Sequence, residues 1–124
     1  MKKFIKIVTD ILLVIVLVIA AIPRLMGLKT YKVLSGSMEP EYHVGSVVYV
    51  EKSSIDDIEV GDVITFYIND NTVVTHRVID KDNDTESFHT KGDANETEDG
   101  GSVAYDKVVG KVVLNVPYLG YILR

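Results

Sequence analysis

The chain has 124 residues, 47% of them hydrophobic and 25% charged, and a net charge of −5. At about 150 residues per domain that is one domain with a small core, and the ordinary charged fraction argues against disorder. Cysteine is absent and the only histidines are His43, His76 and His89, which excludes disulfide scaffolds, thiolate zinc sites, iron–sulfur clusters and cysteine nucleophiles, and disfavours a His-rich metal site.

Charge is unevenly placed. Residues 1–32 carry six basic side chains against Asp10, whereas residues 33–110 carry seventeen acidic side chains against five basic ones. The acidic body excludes nucleic acid as the main partner, since phosphates need a positive surface. The basic, apolar front end points to a lipid bilayer. Ile11 to Ile22 is twelve residues without a polar side chain, and reaching back to Phe4 gives nineteen that include Lys6, Thr9 and Asp10. A bilayer needs about 20 residues. Lys6 and Asp10 can snorkel to one interface, and Leu25, Met26 and Leu28 extend the other side. The preferred reading is a single-pass membrane anchor over 1–29, followed by a β-rich domain over 30–124. A cleavable secretory signal ending near Val18-Ile19-Ala20 and a buried core helix are the alternatives. Lys2, Lys3 and Lys6 form a slightly denser cluster than Arg24, Lys29 and Lys32. That places the N-terminus in the cytoplasm and the domain on the extracytoplasmic or lumenal side.

After Tyr31 the period changes. Val47–Val50, Val63–Ile68, Thr72–Ile79 and Val108–Val116 are short runs rich in β-branched and aromatic residues. Gly45, Gly61-Asp62, Asn69-Asp70-Asn71, Asp82-Asn83-Asp84 and Gly100-Gly101 punctuate them. Asn69-Asp70-Asn71 reads as a hairpin turn. Ser53–Glu59 allows a helical turn or two. Asp80–Gly101 reads as two polar loops flanking a strand at Ser87–Thr90. The fold class is mainly β, a small antiparallel sheet carried on an N-terminal transmembrane helix.

Three segments carry residues suited to chemistry. Ser35-Gly36-Ser37-Met38-Glu39-Pro40 lies about a dozen residues beyond the anchor. Its glycine permits a tight bend and its proline stops a strand, so a serine there can expose its hydroxyl or simply occupy a linking turn. His76 sits in a strand, on one face with Val74 and Val78. It reads either as a half-buried structural histidine or as a general base, since a free imidazole titrates near about 6.5. His43, in a polar turn, and His89, in a short strand, are weaker candidates. The acidic stretch Lys91–Gly101 reads as a solvated loop or as the source of a carboxylate that orients the histidine. It has the composition of a calcium loop but lacks the sixth-position glycine and the distant glutamate of an EF-hand. Serine, histidine and aspartate in that order on an anchored β domain point to acyl transfer at a membrane surface.

The boxes Ser35-Gly36-Ser37-Met38-Glu39-Pro40, Gly61-Asp62-Val63-Ile64, Thr75-His76-Arg77-Val78-Ile79 and Lys91-Gly92-Asp93-Ala94-Asn95 with Asp99 resemble type I signal peptidase. The likeness is to the endoplasmic-reticulum subtype of eukaryotes, archaea and some Gram-positive bacteria, and it spans roughly residues 30–120. It implies a barrel-like serine peptidase domain and a catalytic set of Ser37 as nucleophile, His76 as base, Asp99 as triad acid and Asp93 beside it. Ser35 matches the serine whose hydroxyl joins the Ser37 N–H in the oxyanion hole. The implied substrates are preprotein signal peptides with Ala-x-Ala-like cleavage sites, met at the bilayer. No cofactor or metal is implied, and accessory subunits are left unspecified. Pocket-lining residues are not specified either, Met38 being named by adjacency alone. Two departures stand out. Ala94 replaces the family's usual first asparagine after Gly-Asp. Many relatives also continue into a second membrane helix where this chain reads Pro117–Arg124, which leaves open a short natural form or a shortened chain. The rival readings are a non-enzymatic anchored β domain for binding or assembly at the cell surface, and a self-cleaving peptidase of the repressor type.

Overall fold

The computed structural model describes residues 1–121, the side chains of Pro23 and Arg24 excepted. A single helix, α1 (Lys2–Leu25), takes up the front end. At 1.5 Å per residue it is about 36 Å long, enough to cross a bilayer. Residues Lys2–Ile22 form its apolar span, and none of that span is buried against the rest of the protein. An apolar helix left bare in this way fills no groove among the described residues, which counts against the core-helix alternative. Met26 still donates its N–H to Ile22 O, and Gly27 follows at φ +82°. A left-handed glycine there ends the helix without steric cost.

The remainder is one seven-stranded antiparallel sheet. In chain order the strands are β1 (Lys29–Lys32), β2 (Val47–Glu51), β3 (Val63–Asn69), β4 (Thr72–Asp82), β5 (Ser87–Lys91), β6 (Ser102–Ala104) and β7 (Val108–Val116). In space they run β1-β2-β7-β3-β4-β5-β6. The β3–β4 hairpin turns at Asp70-Asn71, where the Asn71 N–H is accepted by the Asn69 side chain at 2.9 Å. An Asx contact of this kind is why asparagine marks such turns. Ser53–Glu59 contributes only a 3₁₀ turn at Ile55–Asp57, capped by the Ser54 hydroxyl, because Ile58 is drawn into the core. Strands β1 and β6 were not expected. They are short, β1 is polar and β6 buries only Val103, and both are held by their ladders with β2 and β5.

The core joins one face of β3, β4 and β5. Ile58, Ile64, Phe66, Val78, Phe88 and Val103 are buried together, with Val74, Tyr105 and Val108 packed around them. Lys81 threads across this cluster, donating its ammonium to the carbonyls of Ile55 and Ile58 at 2.9 and 3.0 Å. Phe88 is fully enclosed. Truncating a buried phenylalanine removes its transfer energy and leaves a void, so Phe88→Ala is expected to destabilise the domain by about 3–5 kcal/mol. Denaturant unfolding followed by tyrosine fluorescence checks this, and a loss below about 1 kcal/mol contradicts the packing described.

Candidate active site

The bend between β1 and β2 carries Ser35 and Ser37. It is tied by Glu39 N–H to Gly36 O at 3.1 Å and Tyr42 N–H to Met38 O at 2.9 Å. Met38 is 2% exposed and plugs the bend into the domain. Its sulfur accepts the Asp93 N–H at 3.4 Å. The adjacent Ser37 is thereby held at the surface beside β4, half-buried, with its hydroxyl 3.1 Å from that of Ser35.

His76 occupies the core-facing side of β4 next to Val78, and its ring meets the edge of Phe66 at a 6.4 Å centroid distance. It is 8% exposed. Its Nε2 lies 3.1 Å from Ser37 Oγ and its Nδ1 lies 2.7 Å from Asp99 Oδ2. An ionised carboxylate only accepts. In the neutral ring Nδ1 therefore carries the proton, and the Nε2 lone pair faces the Ser37 hydroxyl. Three groups 39 and 23 residues apart in sequence are thus in series through hydrogen bonds. Asp99 Oδ2 also accepts the Thr90 hydroxyl at 2.6 Å.

The loop after β5 is fastened on two sides. Ala94 N–H donates to Ser37 O at 2.9 Å, and Asp99 N–H donates to Thr90 O at 2.9 Å. Gly92 lies so close that a Cβ there would come within 2.6 Å of Ser37 O and 3.1 Å of His76 Nε2. Only glycine permits this approach, which explains the Lys-Gly-Asp box in local terms.

Asp93 is brought to Arg77 rather than to the imidazole. Arg77 Nε and Nη2 each reach a different Asp93 oxygen at 2.8 Å, and Nη1 donates to Gly61 O at 2.6 Å. This two-pronged geometry matches a guanidinium to a carboxylate. The Arg77 hydrogen bonds hold the Asp93 carboxyl below its ordinary value of 3.8, against the opposing effect of burial. Hydrogen bonding to Asp93 likewise raises the Arg77 guanidinium. The pair clamps the strand of His76 to the loop of Asp99. Its sequence signal was the arginine next to the histidine, but nothing in the sequence named the partner. His43 pairs with Glu39, and His89 stands opposite Asp80 on β5; neither is placed at Ser37.

Folding favours ionised Asp93. Its contribution to stability is complete above the ordinary, unfolded value of 3.8 and is lost as pH falls through the lower folded value. Asp93→Asn is therefore expected to lower the melting temperature at pH 7, with the gap to the wild type closing below about pH 3. Thermal unfolding at both pH values checks it; a gap of equal size at both contradicts the ion pair.

A cleft of about 450 Å³ passes in front of Ser37 and His76, walled by Tyr31, Leu34, Val48 and Val73 among others. β4 pairs with β3 along Thr72–Arg77, but β5 joins its other side only from Arg77 onward. Thr72–His76 therefore offer a strand edge to the cleft.

The chain matches the family model "Signal peptidase, peptidase S26" over residues 4–89. Thr90, Asp93 and Asp99 lie beyond the matched segment. Signal peptidase I W of Bacillus subtilis is 43% identical over 89 residues, covering 69% of this chain and 47% of the relative. The human signal peptidase complex catalytic subunit SEC11C is 36% identical over 101 residues, covering 73% and 53%. The Fusarium vanettenii subunit SEC11 is 33% identical over 101 residues, covering 73% and 59%. The chain spans about half the length of the curated relatives it matches.

Proposed function

The chain belongs to the signal peptidase family, peptidase S26, and from that premise we propose that it is a membrane-bound serine endopeptidase that removes signal peptides from secreted preproteins after small residues. One observation carries the reading, the relay of Ser37 Oγ, His76 and Asp99 at 3.1 and 2.7 Å. Ser37 Oγ attacks the scissile carbonyl carbon while His76 Nε2 takes its proton. The C–N bond then breaks as the imidazolium protonates the leaving amine. Water, deprotonated by Nε2, attacks the acyl-enzyme and releases Ser37 with its proton restored. General base catalysis of this kind contributes on the order of 10²–10⁴-fold. Asp99 keeps the ring in the required tautomer and balances its positive charge. The Ser35 hydroxyl and the Ser37 N–H serve the developing oxyanion, where each donor contributes on the order of 10²–10³-fold.

The open edge of β4 suits an extended peptide, which would add to the sheet by main-chain hydrogen bonds and present alternate side chains to the cleft. The apolar walls at Leu34, Val48 and Val73 accept short apolar side chains such as alanine. Residues 1–29 serve as the anchor and residues 30–124 as the catalytic domain, on the extracytoplasmic or lumenal side, where cleavage sites emerge. The basic cluster Lys2, Lys3 and Lys6 supports that orientation.

The experiment is cleavage of an alanine-terminated signal peptide by the full chain in detergent micelles, compared with Ser37→Ala. Loss of product formation with Ser37→Ala supports the reading. Equal cleavage by both proteins overturns it, and binding without cleavage by the wild type favours the non-enzymatic alternative.

A further inference from the structure

We propose that Thr90 is a positioning residue of the Ser37 centre, its hydroxyl setting the Asp99 carboxylate that in turn aims His76. This inference rests on the serine-peptidase reading above. In the β4–β5 ladder Thr90 is paired with Val78, so both side chains leave the same face of the sheet. His76 lies two residues from Val78 and shares that face. Thr90 is therefore the diagonal cross-strand neighbour of His76, placed there by register alone.

Thr90 is completely buried. A buried hydroxyl without a partner is costly, so its choice of acceptor matters. The acceptor is Asp99 Oδ2 at 2.6 Å, the same oxygen that receives His76 Nδ1–H at 2.7 Å. The Thr90 carbonyl also takes the Asp99 N–H at 2.9 Å. One residue thus holds Asp99 by backbone and by side chain. The backbone bond fixes where the loop returns. It does not fix the carboxylate plane, because the terminal torsion of aspartate is broad and two-fold. The hydroxyl supplies that constraint, so the oxygen stays aimed at Nδ1 when no substrate is bound. Thr90 does not line the cleft in front of Ser37 and instead borders a second one, of about 390 Å³, with His76 and Asp99; its complete burial keeps its side chain off a peptide lying in the first.

The test uses the full chain and an alanine-terminated signal peptide. Thr90→Val keeps the shape and removes the hydroxyl. It is expected to lower kcat by about 10- to 100-fold, as loss of a hydrogen bond that orients a catalytic ligand does elsewhere, with KM within about twofold. Thr90→Ser restores the hydroxyl and is expected to return kcat to within about threefold of wild type. Wild-type kcat in Thr90→Val overturns the inference. So does equal impairment of Thr90→Ser and Thr90→Val, because a packing role would then suffice. If Thr90→Val does not fold, Thr90→Ser is compared with Thr90→Ala. Both lack the methyl group, so a kcat about tenfold higher for serine supports the inference, and equality overturns it. Ser37→Ala runs alongside. If it cleaves like wild type, the peptidase reading falls and takes this inference with it. If it is inactive while Thr90→Val is unimpaired, only the inference about Thr90 falls.

Discussion

Asp99→Asn is expected to lower kcat by about 10³–10⁴-fold with little change in KM, the scale seen when a triad carboxylate becomes an amide. The amide presents an N–H₂ where Oδ2 accepted, and this turns the imidazole to the tautomer with its proton on Nε2. That nitrogen then has no lone pair for the Ser37 hydroxyl. The amide also leaves the imidazolium without a balancing charge in the transition state. Asp93→Asn provides the contrast. It loses the ion pair with Arg77 but keeps an oxygen for one of the two hydrogen bonds 2.8 Å long, so kcat should stay within about tenfold. Steady-state cleavage of one signal peptide by both variants checks the pair. A dead Asp93→Asn beside a near-normal Asp99→Asn would reverse the two assignments.

His76→Lys is expected to be as inactive as Ser37→Ala at pH 7. A lysine amine starts near about 10.4 and acts as a base only when burial or neighbouring positive charge favours its neutral form. Here the Asp99 carboxylate lies 2.7 Å from Nδ1 of the ring that lysine would replace. That carboxylate holds an ammonium charged, so no lone pair reaches Ser37. Turnover by His76→Lys within about tenfold of wild type at pH 7 would show that the site does not depend on the carboxylate in this way.

The apolar runs that became β2, β3, β4 and β7 were legible because burial on a sheet leaves a regular pattern, and Asn69-Asp70-Asn71 marked its hairpin by Asx chemistry. Strand β1 (Lys-Thr-Tyr-Lys) and the three-residue β6 leave no such pattern. They form because a neighbouring edge offers main-chain partners, a non-local cause that a local window does not contain. The site divides in the same way. Ser37 and His76 could be singled out by residue type and by the boxes around them. Composition did not separate Asp93 from Asp99, since both sit in one acidic loop; the loop closure through Ala94 and Thr90 turns one toward Arg77 and the other toward His76. The guanidinium of Arg77 offers two charged donors and takes both oxygens of Asp93. Thr90 carried no signal, because a threonine in a strand is ordinary and only the Val78–Thr90 register gives its hydroxyl a partner.

The proposed mechanism requires a covalent acyl-enzyme on Ser37, formed under the control of His76 and Asp99. The most direct measurement is mass spectrometry of the full chain quenched in acid during turnover of an alanine-terminated signal peptide. The expected result is an adduct equal to the acyl portion of the substrate, mapped to the peptide containing Ser37. The adduct should be absent from Ser37→Ala and should form more slowly in Asp99→Asn. Cleavage that proceeds at the wild-type rate in Ser37→Ala, or an adduct mapped to another residue, would contradict it.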